Sequence, residues 1–168
     1  MKNKLVAMAI LLTGFSTVAS AQASATATAT ATIITPISIS KTADMSFGNI
    51  AVQAATGGTV VLDAAGTRTS TSGVTLPATA GTVTAAAFTV TGTGSYTYAV
   101  TLPSTATLTR ASGTETMVAS SFTSNPSGTG ALTAGTQNIA VGATLTVSAA
   151  QVAGIYTSGN FNVTVNYN

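Results

Sequence analysis

Apolar and polar residues alternate strictly along the last segment of the chain. From Phe161 to Tyr167 every odd position is aromatic or valine, and every even position is Asn or Thr. Successive side chains on a β-strand point to opposite faces, so a period of two predicts a strand with one buried face. In a helix the same apolar side chains would point to two opposite sides. The chain therefore ends in a predicted half-buried strand.

The same signal recurs at short intervals along most of the chain. Thr, Ala, Ser, Gly and Val dominate the composition, and Gly, Pro, Ser or Asn separates the apolar segments. This mixture favours strands and turns over helices. Roughly seven to ten short strands with no helical segments between them predict an all-β protein, an antiparallel immunoglobulin-like β-sandwich.

Two predicted elements are specific enough to test. Aliphatic residues alternate with smaller or polar ones along residues 33–40, which predicts a first strand with one aliphatic face. Phe88 and Val90 precede a Gly-Thr-Gly turn at residues 92–94, and apolar residues alternate again along residues 96–102. This second pattern predicts a β-hairpin.

The first residues have the pattern of a secretory signal. Two lysines precede an apolar segment at residues 5–15, which is too short to span a bilayer as a helix. Small residues follow at positions 19–21, so we expect cleavage before Gln22. The sequence predicts a signal peptide over residues 1–21 and export through the periplasm to the cell surface or medium, without membrane insertion after cleavage.

Few charges remain after that cleavage. The three cations and three anions of the mature chain are Lys41, Arg68, Arg110, Asp44, Asp63 and Glu115. Three scattered cations are too few to hold nucleic acid or an anionic membrane surface. A surface with almost no net charge also lacks the repulsion that keeps copies apart, which favours self-assembly.

Residue types that perform chemistry are scarce. The chain has no His and no Cys, so zinc ligands, disulfides and the common nucleophile–base pairs are excluded. Asp44, Asp63 and Glu115 are far apart in sequence, and turn or surface roles are their expected ones. The sequence predicts a protein that is not an enzyme and has no catalytic residues, cofactor or metal.

An Ala/Thr repeat, residues 23–32, precedes the first predicted strand. Its alanines would form a methyl face when the segment is extended: Ala23, Ala25, Ala27, Ala29 and Ala31, continued by Ile33. The segment is either a low-complexity linker, an edge strand of its own domain, or a donor strand that pairs with the next subunit. Burying the donor face contributes roughly 6 kcal/mol at most, so ladder hydrogen bonds would supply most of the binding.

Six motifs resemble those of the secreted bacterial domain of unknown function 4402. They are ITPISI at residues 34–39, MSFGNI at 45–50, GTVVL at 58–62, FTVTG at 88–92, VGATL at 141–145 and GIY at 154–156. The resemblance covers nearly the whole mature chain and implies a bacterial surface or periplasmic β-domain. It names no activity.

The C-terminal strand is similar to the last strand of chaperone-usher pilus subunits of the spore-coat-like, archaic type. Its apolar positions are Phe161, Val163, Val165 and the penultimate aromatic Tyr167, with Gly154 upstream. This likeness implies a strand that a periplasmic chaperone contacts before an outer-membrane usher assembles the subunits.

The function expected from these observations is a structural subunit of a cell-surface filament or fimbria-like assembly. Residues 23–33 would be donated to other copies of the protein, and the edge at residues 161–167 would accept them. The alternative is a monomeric secreted adhesin or glycan-binding β-sandwich that uses its tyrosines. A third hypothesis is a matrix or coat protein without defined polymers. The expected organisation is a signal peptide (1–21), an Ala/Thr extension (22–32) and a β-sandwich domain (33–168).

Overall fold

The computed structural model describes residues 21–168, so the predicted signal peptide lies outside the described residues except for Ala21. This range contains strands and no helix, and hence no helix long and apolar enough to cross a membrane. The strands are β1 (Ser38–Ala43), β2 (Ala51–Val52), β3 (Gly58–Leu62), β4 (Arg68–Ser70), β5 (Val74–Thr75), β6 (Ala86–Thr91), β7 (Thr97–Thr101), β8 (Thr105–Arg110), β9 (Thr116–Asn125), β10 (Thr129–Ala131), β11 (Thr136–Val147), β12 (Tyr156–Ser158) and β13 (Thr164–Tyr167).

These strands form three antiparallel sheets. The largest has eight strands in the order β1-β6-β11-β9-β8-β12, with β3 paired to β11 and β4 paired to β3. A three-stranded sheet has the order β10-β7-β13, and β2 pairs with β5 in a third sheet. The predicted all-β fold, an antiparallel β-sandwich, is confirmed.

Two long segments run side by side through both larger sheets. In the small sheet β7 pairs with β13, where Thr101 lies opposite Thr164. In the large sheet β8 pairs with β12, where Arg110 lies opposite Tyr156. The C-terminal segment therefore passes from one sheet to the other, and residues 159–163 between its two strands belong to no strand.

The compact domain covers Ile33–Asn168 and contains two apolar cores. The strand β11 contributes to both, because Ile139 and Val141 pack in the first core and Leu145 and Val147 in the second. A twelve-residue strand with alternating inward side chains can reach both cores. The described residues before the domain, 21–32, are all exposed and belong to no strand.

Tyr98 is the largest fully buried side chain among the described residues. Its hydroxyl donates to Oε1 of Gln137 at 2.6 Å, and the same oxygen accepts a hydrogen bond from the amide of Ala131 at 2.8 Å. Burial raises the pKa of Tyr98, because the phenolate would lose its hydration. Tyr98 is therefore a core residue with a satisfied polar end.

The predicted hairpin at residues 88–102 is wrong. The strand β6 pairs with β1 and β11, whereas β7 pairs with β10 and β13 in the other sheet. Gly92 donates to the carbonyl of Gly135, and Gly135 donates to that of Gly94, so the turn is bonded to another connection. Crossing between sheets lets Val90 and Tyr98 reach the first core from its two sides.

The predicted first strand begins later than its alternation indicates. Ile33 is 97% exposed, and β1 starts only at Ser38. The amide of Thr35 donates to the Thr93 hydroxyl at 2.9 Å instead of to a neighbouring strand. Pro36 has no amide hydrogen to donate, so this stretch is anchored by side chains rather than by a ladder.

Candidate functional site

A groove of about 1210 Å³ lies over the inner face of the large sheet. One wall comes from residues 41–52 and the other from residues 151–162. The floor side chains are apolar and come from four neighbouring strands: Ala86 and Phe88 of β6, Ala106 and Leu108 of β8, Met117, Ala119 and Phe122 of β9, and Leu145 and Val147 of β11.

Both walls include an unpaired sheet edge. The strands β1 and β12 are the two ends of the strand order in the large sheet, and each pairs on one side only. Between β12 and β13, residues 159–162 belong to no strand and make no backbone–backbone hydrogen bond in the described part of the chain. Edges of this kind present free N–H and C=O groups to a further strand.

The strands β1 and β13 lie close together. Cα atoms of β1 and β13 approach within 8 Å of each other. A strand inserted between two others needs two strand spacings, or about 9.6 Å. The gap between β1 and β13 is therefore too narrow for an additional strand without widening.

The groove has no net charge. Lys41 and Asp44 are the charged residues that line it, and Lys41 Nζ lies 2.5 Å from Asp44 Oδ1. Both side chains are exposed, so this pair contributes little to stability. The site therefore suits an uncharged occupant.

Exposed apolar side chains line one wall of the groove. Val152 is 44% exposed and Ile155 is 74% exposed, and both line the groove. Large apolar side chains left in water beside an apolar groove are typical of an interaction surface. The motif at residues 45–50 lies in the opposite wall, and no local sequence pattern connects it with residues 151–155.

The structure brings the predicted acceptor residues together but gives them different environments. Phe161 lines the groove and packs against Phe122, with 5.3 Å between ring centroids. Val163 and Val165 are buried in the first core. Tyr167 is partly buried, and its hydroxyl donates to the carbonyl of Thr35 at 3.0 Å.

The predicted donor residues are all exposed. Each alanine of the methyl face lies in the described range and outside any strand: Ala23, Ala25, Ala27, Ala29 and Ala31. Ile33, at the end of this segment, is also exposed. Their side chains are therefore accessible for pairing.

The three acidic side chains each have a local partner. Asp44 pairs with Lys41, and Asp63 accepts hydrogen bonds from two backbone amides of its own turn. Glu115 accepts from Nε of Arg110 at 2.7 Å, and this hydrogen bond lowers its pKa to about 2. Residues 21–168 contain no group of three or more His, Cys, Asp or Glu that could hold a metal ion.

The four tyrosines do not form one exposed platform. Tyr98 is buried, and the Tyr156 hydroxyl donates to the carbonyl of Val152. Tyr96 and Tyr167 pack edge to face, with ring centroids 5.7 Å apart. Aromatic platforms for sugars need exposed ring faces, so the tyrosines lend the glycan-binding alternative little support.

Comparisons with known proteins identify the family and no relative of known function. No curated protein and no solved structure matches the chain. Residues 37–167, which include all the strands from β1 to β13, match one family model. The chain therefore belongs to the family described as a domain of unknown function, DUF4402.

Proposed function

We propose that this protein is a structural subunit of an exported cell-surface filament, in which residues 23–33 of one copy fill the groove of the next. The observation that carries the proposal is the groove itself, which lies between two unpaired edges of an otherwise complete sandwich. A strand placed there would pair its backbone on both sides and cover the apolar floor.

The Ala/Thr repeat matches the demands of such a site. Its methyl face can turn toward the floor while its hydroxyl face remains in water, because side chains alternate along a strand. A shift of one residue in the pairing would turn the hydroxyls toward the floor. The apolar floor therefore favours the registers in which the alanines face it. Each ladder hydrogen bond adds about 0.5–1.5 kcal/mol, which supplements the small methyl contribution.

The length and charge of the donor segment are also compatible with the groove. The donor, residues 23–33, has eleven residues, and the groove wall at residues 151–162 has twelve. Eleven extended residues span roughly 36 Å. The donor carries no charged side chain, which suits a groove whose two charges neutralise each other.

The size of the groove favours a chain segment over a small molecule. Pockets for small ligands usually enclose about 300–1,000 Å³, and this groove exceeds that range at about 1210 Å³. Its lining is drawn from two long walls rather than from a cluster of polar groups. An extended peptide is the occupant that this form accommodates best.

Export, the chaperone and the usher are part of the same proposal. An open apolar groove with free sheet edges can pair with other chains before assembly. A periplasmic partner that covers residues 151–162 would prevent this, and transfer to a second copy would release it.

Deletion of residues 23–32 tests the proposal. We expect the deletion to abolish high-mass assemblies in electron microscopy and size-exclusion chromatography, and to leave the monomer folded by circular dichroism. The matched control replaces the same ten residues with a Gly/Ser sequence, which keeps the length and removes the methyl face. Assembly that persists in both variants would refute strand donation and favour the monomeric binding module.

A peptide experiment examines the groove directly. A synthetic peptide of residues 22–33 should bind the deletion variant and raise its Tm in a concentration-dependent manner. The control peptide carries Ala27→Asp, which would place a charge against the apolar floor. Equal stabilisation by both peptides would contradict the proposed contact.

A further inference from the structure

We propose that Met45 and Met117 form an oxidation site in the groove, at which a peroxide converts both side chains to methionine sulfoxide and so weakens binding of the donated segment. This inference rests on the proposed function, and it adds a chemical control of the same site. The two residues lie on different parts of the groove. Met45 belongs to the wall at residues 41–52, and Met117 is a floor residue of β9.

All the sulfur of residues 21–168 lies in the lining of this groove. The chain has four methionines and no cysteine, and the other two methionines, Met1 and Met8, precede the described residues. Met45 and Met117 both line the groove, and both are partly exposed. In a chain without thiols, accessible thioethers are the side chains that peroxides oxidise most readily. A peroxide would therefore modify this domain first at the groove.

Both side chains belong to the apolar surface that the donor would cover. Met45 packs against the two apolar cores, and Met117 packs against the second. Leu108 of the neighbouring strand lies opposite Met117 and also lines the floor. The backbone beside Met45 is fixed by hydrogen bonds of 2.8 and 3.0 Å between Ser46 and Thr84. Both methionines are therefore held in the lining, so a change in their polarity changes the groove.

The oxidation is a two-electron transfer from the thioether to the peroxide. With hydrogen peroxide, a sulfur lone pair attacks one oxygen, and the S–O bond forms as the O–O bond breaks. The departing hydroxide takes the proton of the transferred oxygen and leaves as water. The product carries a polar S–O group in place of an apolar sulfur. Methionine sulfoxide reductases reverse the step with two thiols, which become a disulfide as water is released.

The donor face cannot compensate for this polar group. In the proposed pairing its alanine methyls face the floor, and its Ser and Thr hydroxyls remain in water. A sulfoxide oxygen covered by methyl groups loses its hydrogen bonds to water and gains none. Two sulfoxides would be left without a partner in this way. We expect the oxidised groove to bind the donor at least about tenfold more weakly.

Assembly of oxidised protein tests the inference. The mature chain is kept monomeric by dilution, treated with hydrogen peroxide, freed of the reagent and concentrated. Light scattering should then show a critical concentration about tenfold higher than that of untreated protein. The matched control is Met45→Leu/Met117→Leu, which keeps the apolar volume and has no thioether to oxidise. An equal rise in the treated variant, or no rise in the fully oxidised wild type, would overturn the inference.

Peptide mapping by mass spectrometry shows whether the donor covers the two sulfurs. The donor segment contains no methionine, so it does not consume the peroxide itself. Met45 and Met117 should be oxidised severalfold more slowly in assembled protein than in the monomer, and equal rates would overturn the inference.

Reversal separates a change in the groove from damage to the core. The oxidised monomer should keep its circular dichroism spectrum, and methionine sulfoxide reductases with a dithiol should restore the original critical concentration. Loss of the spectrum, or assembly that the reductases do not restore, would show that oxidation acts on the fold, and it would overturn the inference.

The two proposals fail in different ways. Untreated protein that assembles without residues 23–32 removes strand donation, and the role of the oxidation site with it. Assembly that requires these residues but is indifferent to oxidation of Met45 and Met117 leaves strand donation in place and removes only the present inference.

Discussion

Residues 23–32 and residues 161–167 follow the same period-two pattern but have different structures. The C-terminal segment includes β13, which pairs with β7 and packs its odd residues in the first core. The N-terminal segment is exposed and belongs to no strand. Alternation therefore indicates which side chains share a face, but it does not indicate whether that face is buried within the same subunit.

The size of the apolar side chains accounts for the difference. Burying a valine contributes about 1.5–3 kcal/mol, whereas an alanine methyl contributes about 0.8 kcal/mol. Ordering the backbone of each residue costs about 1–2 kcal/mol, which alanine does not offset without a ladder on both sides. Under the proposed function, the Ala/Thr segment becomes a strand only where two free edges receive it.

The largest expected effect comes from placing a charge on each segment. Val165→Asp should destabilise the domain by more than about 4 kcal/mol, because it buries an unpaired carboxylate. Ala27→Asp should change the stability of the monomer by less than about 0.5 kcal/mol, since Ala27 is exposed there. Urea unfolding of the monomer measures both, and a large effect of Ala27→Asp would show that the segment is already buried.

The two faces of the donor provide the next test. Ala27→Asp should raise the critical concentration for assembly more than about tenfold, because its charge would face the apolar floor. Thr28→Asp changes the neighbouring residue on the hydroxyl face and should have a much smaller effect. Light scattering as a function of protein concentration measures the critical concentration of both variants. Equal effects would contradict the proposal that the alanines face the floor.

Tyr167→Phe tests the polar anchor of the C-terminal strand. The substitution removes the hydrogen bonds to the carbonyl of Thr35 and from the amide of Thr93, so we expect a loss of about 1–2 kcal/mol. Tyr96→Phe is the control, because this ring packs on Tyr167 and its exposed hydroxyl makes no hydrogen bond within the described residues. Equal losses would show that ring packing, and not the anchor, stabilises this end.

The smallest effect concerns charge. Arg110 lowers the pKa of Glu115 from 4.5 to about 2, so the ionised pair stabilises the folded state above pH 4.5. This contribution is lost as the pH falls from 4.5 toward 2, because the folded state then also takes up the proton. Glu115→Gln should therefore lower Tm slightly at pH 7 and have no effect near pH 2. A difference in Tm between the wild type and Glu115→Gln that increases as the pH falls would contradict a stabilising ion pair.

Part of this site was predictable from local pattern. Alternation identified Phe161, Val163 and Val165 as inward-facing, and their partial or full burial agrees. The hairpin at residues 88–102 was predicted wrongly, because a short turn between apolar segments has the same pattern whether it joins neighbouring strands or crosses between sheets. The partners of Gly92 and Gly94 lie about forty residues away at Gly135.

By itself the sequence determined the class of the fold, the inward faces of its strands and the scarcity of reactive groups. These properties follow from residue type and from a spacing of two, which act over a few neighbouring residues. Only the tertiary structure decided that residues 41–52 and 151–162 face each other as the walls of a groove. Segments a hundred residues apart are brought together by strand pairing across the whole sheet, and that order depends on long-range contacts that local alternation does not encode.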